Sequence, residues 1–505
     1  MPFIPSILNW LTIKRLHQID LFKKYPYDVQ LEVLLKLLEK GKDTEWGKKY
    51  NFESIATTKD YSNRIPIQTY ESLNIEIQRL IRGEQNILWP SKIKWFAKSS
   101  GTTNDKSKFI PVSIEALEEC HYRGAKDVMA IYSSLYPETK IFKGKGLTLG
   151  GSHQVNGLNN ESYYGDLSAI LIQNLPFWAE FIKTPNQEIA LMDLWEEKLK
   201  KLSEATIQEN VTSLSGVPSW MLVLIKYILA QTGKRTLLEI WPNLEVFIHG
   251  GVSFLPYREQ YIKLIPSREM HYMETYNASE GFFAIQDEPS KDDMLLMLDI
   301  GVYYEFIPMD EVGKEFPASL SIGEVELNKN YAIVISTNSG LWRYMIGDTI
   351  KFTSLYPHKI KVTGRTKHFM NVFGEEVIVD NADKALRIAC ERTGAIISEY
   401  TAGPVFMDTD KKGSHEWLIE FEKAPADLEL FRGFLDEALR SVNSDYEAKR
   451  YKDITLEMPL VKSLKKGTFY CWLQKKNKLG GQNKVPRLSN DRKYIEELYV
   501  IGENE

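Results

Sequence analysis

Small hydroxyl residues cluster in the stretch KSSGTTNDKSKFIP, which runs from Lys98 to Pro111. Such residues cannot build a core, but hydroxyls, the backbone around a glycine and nearby lysines can all donate hydrogen bonds to phosphate oxygens. The stretch lacks the G-x-x-x-x-G-K-[ST] pattern of the common phosphate-binding loop. It is therefore either a solvated polar turn or a phosphate cradle of another type.

Two later segments contain groups that suit a nucleotide. YNASEG begins at Tyr276, whose ring could stack on a flat base, and includes Glu280, whose carboxylate could hold magnesium. In WRYMIGDTIKF, Asp348 follows a glycine and could accept hydrogen bonds from a ribose diol. Each segment also has an ordinary interpretation, a hairpin with a surface glutamate in the first case and an Asx-turn in the second.

Further segments bring glycines or positive charge to turns. FIHGGVSF is a predicted strand that ends in Gly250 and Gly251, and LGGQNKVPR could present Lys484 to a polyphosphate or could be an exposed basic loop. The basic cluster in GRTKHFMNVFGEEV lies between strand-like runs. No histidine or cysteine pair has the spacing of a metal motif, so we predict no protein-bound transition metal.

The predicted elements that must position these groups change character along the chain. Helical patterns dominate up to about residue 240, and short β-branched and aromatic runs separated by turns occupy residues 244–350. A helix from Asn381, a strand EWLIEFE, a helix DLELFRGFLDEALRSV and strands DITLEMPLV and GTFYCWLQ follow. We predict an α/β fold in which residues 1–366 form a large domain of mixed sheets and helices. Residues 367–505 form a small α/β (α+β) domain.

Composition narrows the class of protein. The chain has 505 residues, 43% hydrophobic and 26% charged, with a net charge of −5, so no basic field favours nucleic acid or an anionic membrane. The three cysteines are too few and too scattered for a disulfide framework. We expect a cytoplasmic protein that associates with neither nucleic acid nor membrane.

The order of the polar segments resembles that of the acyl-adenylate-forming superfamily. More closely, the chain resembles the acyl-acid amido synthetases related to plant auxin- and jasmonate-conjugating enzymes. The resemblance runs from DTEWGKKYNF and RIPIQTYESL through NILWPSKIKWFAKSSGTT to GTFYCWLQ and KVPR.

The resemblance implies roles for particular residues. The implied ATP site consists of Ser99, Ser100, Gly101, Thr102, Thr103, Lys108, Gly250, Gly251, Tyr276, Ser279 and Asp348. The implied catalytic residues are Lys484, Ser100 and Thr103, and Glu280 is the implied magnesium ligand. The resemblance also implies that the small domain is mobile and turns about a hinge at Lys367. Arg123 belongs to the helix on the acyl side, where it could pair with the substrate or form a surface salt bridge. Asp105 stands where the family commonly has glycine, and a carboxylate suits phosphate poorly.

The implied reaction needs ATP and magnesium, a small carboxylic acid and an amino acid. The acid would be joined to AMP, with pyrophosphate released, and the acyl group would then pass to the amine. Two alternatives stay open, an acyl-CoA ligase with a thiol acceptor and a catalytically silent nucleotide-binding relative. The acid, the acceptor, the oligomeric state and the general base for amine attack (His121, His153, His249 and His271 qualify by type alone) are not determined by the sequence.

Overall fold

The protein is described from a computed structural model. The structure describes residues 3–99, 108–150, 156–157, 162–176, 179, 181–192, 194–252, 254–255, 257–366, 369–370, 375, 377–406, 413–443, 446–447, 450, 456–476, 478–479 and 484–502. The chain forms two compact units. The first unit is Met1–Gly216, Asn243–Gly251 and Glu269–Lys361, and the second is Val217–Pro242, Val252–Arg268 and Val362–Glu505. The boundary at residue 366 and the mobility of a small domain stay predictions.

Helices occur in both units. In chain order they are α1 (Phe3–Lys24), α2 (Pro26–Gly41), α3 (Glu45–Lys49), α4 (Thr58–Arg64), α5 (Tyr70–Ile81), α6 (Tyr122–Leu135), α7 (Leu167–Gln173), α8 (Gln187–Ala190), α9 (Trp195–Thr206), α10 (Pro218–Thr232), α11 (Arg258–Leu264), α12 (Val379–Thr393), α13 (Leu428–Val442), α14 (Thr468–Lys475) and α15 (Lys493–Gly502). A π-helical turn, Ala116–His121, leads directly into α6.

Strands carry most of the candidate site. They are β1 (Trp95–Ser99), β2 (Lys108–Val112), β3 (Lys145–Thr148), β4 (Asn156–Gly157), β5 (Tyr163–Gly165), β6 (Lys183–Thr184), β7 (Val211–Gly216), β8 (Val246–Gly250), β9 (His271–Ala278), β10 (Gly281–Ile285), β11 (Met294–Leu296), β12 (Val302–Pro308), β13 (Asn330–Thr337), β14 (Tyr344–Leu355), β15 (His358–Arg365), β16 (Phe369–Met370), β17 (Val377–Ile378), β18 (Ile396–Val405), β19 (Ser414–Lys423) and β20 (Leu460–Leu464).

The main sheet of the first unit has eleven strands, in the order β12-β13-β14-β15-β11-β10-β9-β8-β7-β3-β6. Strands β3, β6, β7, β8 and β9 pair in parallel, whereas β9 with β10 and β13 with β14 are antiparallel. The carboxyl ends of β8 and β9 therefore lie at the same edge, which is where open α/β sheets usually bind ligands. Strand β13 is buried on both faces, which explains its continuous apolar run YAIVI.

The second unit contains the sheet β18-β19-β20 with helices α12 and α13 packed into the same apolar core. The predicted helix from Asn381, strand EWLIEFE and helix DLELFRGFLDEALRSV correspond to α12, β19 and α13. The Asp427 carboxylate caps α13 by accepting hydrogen bonds from the backbone N–H groups of Glu429 and Leu430, at 2.8 and 3.1 Å. The predicted alternation of helix and strand is therefore present between residues 379 and 442.

Two strand predictions in this unit differ from the structure. GTFYCWLQ forms the helix α14, in which Phe469, Trp472 and Leu473 are buried at the i, i+3 and i+4 spacing of one helix face. Its aromatic residues favoured a strand by propensity, but burial of this helical face decides the conformation. DITLEMPLV overlaps β20 only at Leu460 and Val461, and its residues 453–455 lie outside the described residues.

Gly124 in α6 permits a close approach of that helix to strand β10. A Cβ atom added at Gly124 would lie 2.4 Å from the ring of Phe282. We predict that Gly124→Ala lowers the free energy of unfolding by about 1–2 kcal/mol, because overpacking outweighs the better helix propensity of alanine. Chemical denaturation measures this effect.

The control is Gly433→Ala in α13, where an added Cβ meets no atom within 4 Å. This variant should gain up to about 1 kcal/mol from helix propensity alone. Equal effects of the two alanines would show that contact with Phe282 does not determine the residue at position 124.

Candidate active site

The glycine pair predicted to lie along a nucleotide sits at the carboxyl end of β8. Gly250 pairs with Thr275 of β9, and a Cβ atom at Gly250 would lie 2.3 Å from the carbonyl oxygen of Thr275. Gly251 has a φ of +86°, in the left-handed region that favours glycine. Glycine is thus required twice, for a close approach of two strands and for the turn that follows.

Strands β9 and β10 form a hairpin whose two-residue connection is Ser279-Glu280. Ala278 pairs with Gly281, so both predicted residues lie at the tip of the hairpin. A register shift inserts Phe283 between paired positions, and its ring lies 4.8 Å from that of Tyr276 at an angle of 58°. Tyr276 is 8% exposed, so its ring is held largely by packing. The Ser279 hydroxyl and the Glu280 carboxylate at the hairpin tip are more accessible.

Asp348 lies in a bulge of β14. Thr349 pairs with Ala332 and Met345 with Val334, so residues 346–348 stand opposite one residue of β13. Gly347, with a φ of +94°, allows the bulge, and bulges of this kind redirect side chains. The hydroxyl of Tyr276 donates a hydrogen bond of 2.7 Å to Asp348 Oδ2. Two residues predicted for the same nucleotide, 72 positions apart in the chain, are therefore in direct contact.

The predicted phosphate loop connects β1 and β2. Ser99 and Lys108 pair across these strands at the end nearest the connection. Lys108 is half-buried, and its ammonium lies 5.6 Å from the ring centroid of Tyr70. The predicted residues Ser100, Gly101, Thr102 and Thr103 and the divergent Asp105 all lie outside the described residues, as does the side chain of Ser99.

Arg123 belongs to an ionic group that we call the arginine–aspartate cluster. It is formed by Arg123 and Asp127 of α6, Arg15 of α1 and Asp299. Arg123 contacts Asp299 at 3.1 Å. Arg15 contacts Asp127 at 2.7 Å and Asp299 at 2.5 Å. The tentative role of Arg123 toward an acid stays a prediction, and any acid that pairs with it would share the guanidinium with Asp299.

The remaining predicted residues belong to the second unit. Lys484 is exposed. Lys367, predicted at the hinge, lies outside the described residues.

Two buried histidines lie near the residues predicted to bind the nucleotide, either in the chain or in space. Burial lowers the pKa of His249, which precedes Gly250, to about 3 and the pKa of His121 to about 4. Both are only 3% exposed, so both imidazoles are neutral at pH 7. His271 is partly buried with its Nδ1 atom 2.8 Å from the hydroxyl of Tyr132, and His153 lies outside the described residues.

The carboxylate ligand that Glu280 offers at the hairpin tip suits magnesium better than a transition metal. Among the residues that the structure describes, no group of three histidine, cysteine or acidic side chains could hold a metal ion. Magnesium usually binds one or two carboxylates together with substrate phosphates and water, so Glu280 alone can serve as the protein ligand.

Residues that sequence reasoning overlooked accompany this hairpin. The side chain of Asn277 is exposed, and the backbone N–H of its cross-strand partner, Phe282, donates a hydrogen bond of 3.2 Å to Cys120 Sγ of the π-helical turn. The available signal was the position of Asn277 inside YNASEG, because a polar residue between Tyr276 and Ser279 must lie beside the same site.

Comparison with known proteins decides the family. Residues 15–270 match the GH3 family N-terminal domain, residues 295–365 the GH3 family central domain and residues 380–493 the GH3 family C-terminal domain. This chain belongs to the GH3 family. The relationship expected from the polar segments is confirmed.

GH3 proteins of known activity match most of this chain. Indole-3-acetic acid-amido synthetase GH3.3 of Arabidopsis thaliana is 24% identical, over 87% of this chain and 85% of its own length. Jasmonoyl-L-amino acid synthetase JAR4 of Nicotiana attenuata is 24% identical, over 94% of this chain and 92% of its own. Both names describe ligases that join an acid to an amino acid.

Solved structures confirm the predicted fold class. GH3.15 acyl acid amido synthetase superposes with a TM-score of 0.75 at 18% identity, over 95% of this GH3 chain and 93% of its own. A 2-hydroxyisobutyryl-CoA ligase, crystallised with an acyl-AMP, superposes with a TM-score of 0.61 at 12% identity, over 94% of this chain and 92% of its own. Within the described ranges, no helix combines the length and apolar character needed to cross a membrane.

Proposed function

We propose that this GH3 protein is an ATP-dependent acyl-acid amido synthetase. It would join a small carboxylic acid to AMP and then transfer the acyl group to an amino acid. The observation that supports the proposal is the hydrogen bond between Tyr276 and Asp348, the two residues predicted to stack on the base and to bind the ribose. Family relatives with this type of activity match most of the chain.

The first step overcomes the poor electrophilicity of a carboxylate. An oxygen of the acid attacks the α-phosphorus of ATP, the bond to pyrophosphate breaks, and a mixed anhydride with AMP forms. Because two anions must meet, hydrogen-bond donors and positive charge are needed at the α-phosphate. Ser279 of the hairpin tip, Lys108 and the loop residues Ser100 and Thr103 would supply donors, and Lys484 would supply charge.

The second step forms the amide. The amine nitrogen of an amino acid attacks the acyl carbon, the bond from that carbon to the AMP oxygen breaks, and the amine releases a proton. The two steps need different groups around one acyl carbon. We therefore propose that the small domain, residues 367–505, turns about Lys367 and carries Lys484 toward the ATP site for the first step.

The proposed metal is magnesium. When bound to ATP, it would neutralise phosphate charge during the displacement. Glu280 would hold it from the hairpin tip. We also propose a cytoplasmic location, which suits three cysteines that pair in no disulfide among the described residues.

A pyrophosphate-release assay tests the proposal. The purified protein is given ATP, magnesium and each member of a panel of carboxylic acids, and the products formed with a mixture of amino acids and coenzyme A are identified by mass spectrometry. We expect pyrophosphate with at least one acid and an amide as the product. A thioester would indicate the acyl-CoA ligase alternative, and ATP binding without pyrophosphate from any acid would indicate a silent nucleotide-binding relative.

A further inference from the structure

The chain that follows Lys484 is bound along the edge of strand β18. This strand lies at one edge of the three-stranded sheet of the second unit. The backbone N–H of Ala402 donates a hydrogen bond of 2.8 Å to the carbonyl oxygen of Arg487, and the N–H of Ser489 donates one of 3.0 Å to the carbonyl oxygen of Ala402. Leu488 is fully buried, whereas Lys484 is exposed. The exposed lysine therefore precedes a backbone segment that a strand holds in place.

The side chain of Arg487 fastens this segment to two separate elements. Its Nη1 atom donates hydrogen bonds to the Glu399 carboxylate and, at 3.1 Å, to the carbonyl oxygen of Tyr400, both in β18. Its Nη2 atom donates a hydrogen bond of 2.8 Å to the hydroxyl of Tyr257, the residue immediately before α11. The guanidinium also lies 4.5 Å from the ring centroid of Tyr400. We call Arg487, Glu399 and Tyr257 the arginine anchor.

The three members of the arginine anchor are hydrogen-bonded to one another. Tyr257 is 1% exposed, and its hydroxyl donates a hydrogen bond of 3.3 Å to Glu399 Oε2. The side chains of Arg487 and Glu399 are 11% and 15% exposed, so water screens this ion pair less than a surface pair. A planar guanidinium holds its N–H groups in fixed directions, which the ammonium of a lysine does not. Arginine at position 487 therefore fixes a direction as well as a charge.

We propose that Arg487 is a positioning residue for Lys484 in the step that activates the acid. A lysine carries its ammonium on a flexible four-carbon stem, so the place that the charge can reach depends on where the backbone is held. Three residues of extended chain span at most about 10 Å, so a shift of residue 487 displaces residue 484 as well. The inference rests on the proposed function, in which Lys484 supplies positive charge to the first step.

The arginine anchor should matter to one chemical step and not to the other. In the first step two anions approach each other, and an ammonium that is displaced stabilises their encounter less. The second step starts from acyl-AMP that has already formed, and Lys484 is not assigned to it. An ion pair with a purely structural role would lower both steps together, through loss of folded protein. Selectivity for the first step therefore separates a positioning role from a structural one.

The decisive experiment compares the two half-reactions in variants of Arg487. Pyrophosphate formation from ATP and an acid that the wild-type protein activates measures the first step, and amide formation from supplied acyl-AMP measures the second. Arg487→Ala should lower kcat for pyrophosphate formation about 100-fold, because a misplacement of about 1 Å can cost that much, and amide formation should stay within about twofold. Arg487→Lys keeps the charge without the planar fork and should still lose about 10-fold in the first step.

The matched control is Arg392→Ala in the same unit. Arg392 resembles Arg487 in its partners, because it contacts Glu437 at 2.6 Å and its guanidinium lies 5.0 Å from the ring centroid of Phe434. It belongs to α12 and to no part of the proposed site, so this variant should change neither half-reaction.

A double variant tests whether Arg487 acts through Lys484. Pyrophosphate formation by Lys484→Ala and by the double variant Lys484→Ala, Arg487→Ala should agree within about twofold, because the anchor then has no ammonium to position. Losses that multiply in the double variant would overturn the inference. An equal loss of both half-reactions in Arg487→Ala would overturn it as well.

Tyr257→Phe decides the matter if Arg487→Ala does not fold. This change removes only the hydroxyl that accepts from Arg487, so it should lower pyrophosphate formation about 3- to 10-fold and leave amide formation unchanged. Pyrophosphate formation at the wild-type rate would then refute the role of the anchor. If the wild-type protein releases no pyrophosphate with any acid, the proposed function itself fails, whereas release that the variants leave unchanged removes this inference alone.

Discussion

Lys484→Ala should abolish most pyrophosphate formation while ATP still binds. In the proposed first step, an anionic carboxylate approaches an anionic α-phosphate, and Lys484 is the positive charge that offsets their repulsion. Removing one such stabilising group typically lowers kcat about 10²–10³-fold. Pyrophosphate release under saturating ATP and acid measures the loss, and calorimetric titration with ATP measures the retained binding.

The matched control for this variant is Lys475→Ala, which removes another exposed lysine of the same unit, at the end of α14. It should form pyrophosphate at the wild-type rate. Wild-type adenylation by Lys484→Ala would refute the role given to that lysine. Isolated acyl-AMP supplied to Lys484→Ala should still be converted to amide, because the lysine is assigned to the first step only.

Asp348→Ala should weaken ATP binding by about 1.5–3 kcal/mol, which corresponds to about 10- to 150-fold in Kd. The carboxylate is the proposed acceptor for the ribose hydroxyls, and hydrogen bonds to a charged acceptor are stronger than those between neutral groups. The binding of 2′-deoxy- and 3′-deoxy-ATP should differ less from that of ATP in the variant than in the wild type. Calorimetry with the three nucleotides measures these differences.

Two comparisons make the Asp348 result specific. Asp310→Ala removes an exposed aspartate of the same unit and should leave ATP binding unchanged. Tyr276→Phe keeps the ring and the carboxylate but removes the hydroxyl that orients Asp348, so its effect should be smaller than that of Asp348→Ala. Nucleotide affinity that is the same in Asp348→Ala and in the wild type would remove Asp348 from the site.

The sequence predicts the fold class because the patterns of its elements are locally strong. Strand β13 is a continuous apolar run, and α13 begins at an aspartate that caps it. GTFYCWLQ was predicted wrongly because aromatic residues favour strands, whereas the buried face formed by Phe469, Trp472 and Leu473 is a tertiary property. Local propensity cannot show which face a segment will bury.

The sequence predicts which residue types form the candidate site, but it does not predict which of these residues contact one another. YNASEG and the Gly347-Asp348 pair identified the residue types, since their chemistry is visible in the letters. The contact between Tyr276 and Asp348 depends on a bulge opposite a single residue of β13, and no local pattern indicates a register shift. Arg123 and Cys120 likewise acquired their partners, Asp299 and Phe282, only through long-range packing.

The arginine–aspartate cluster has a consequence for shortened forms of this protein. Arg15 lies in the middle of α1 and neutralises Asp127, which is 1% exposed on α6. Burial already raises the pKa of Asp127 even with Arg15 beside it. A truncated chain that starts after α1 would remove the guanidinium that is hydrogen-bonded to this buried carboxylate. Because Asp127 lies on α6, the helix that packs against β10, such a fragment should lose activity even though every residue of the proposed site is still present.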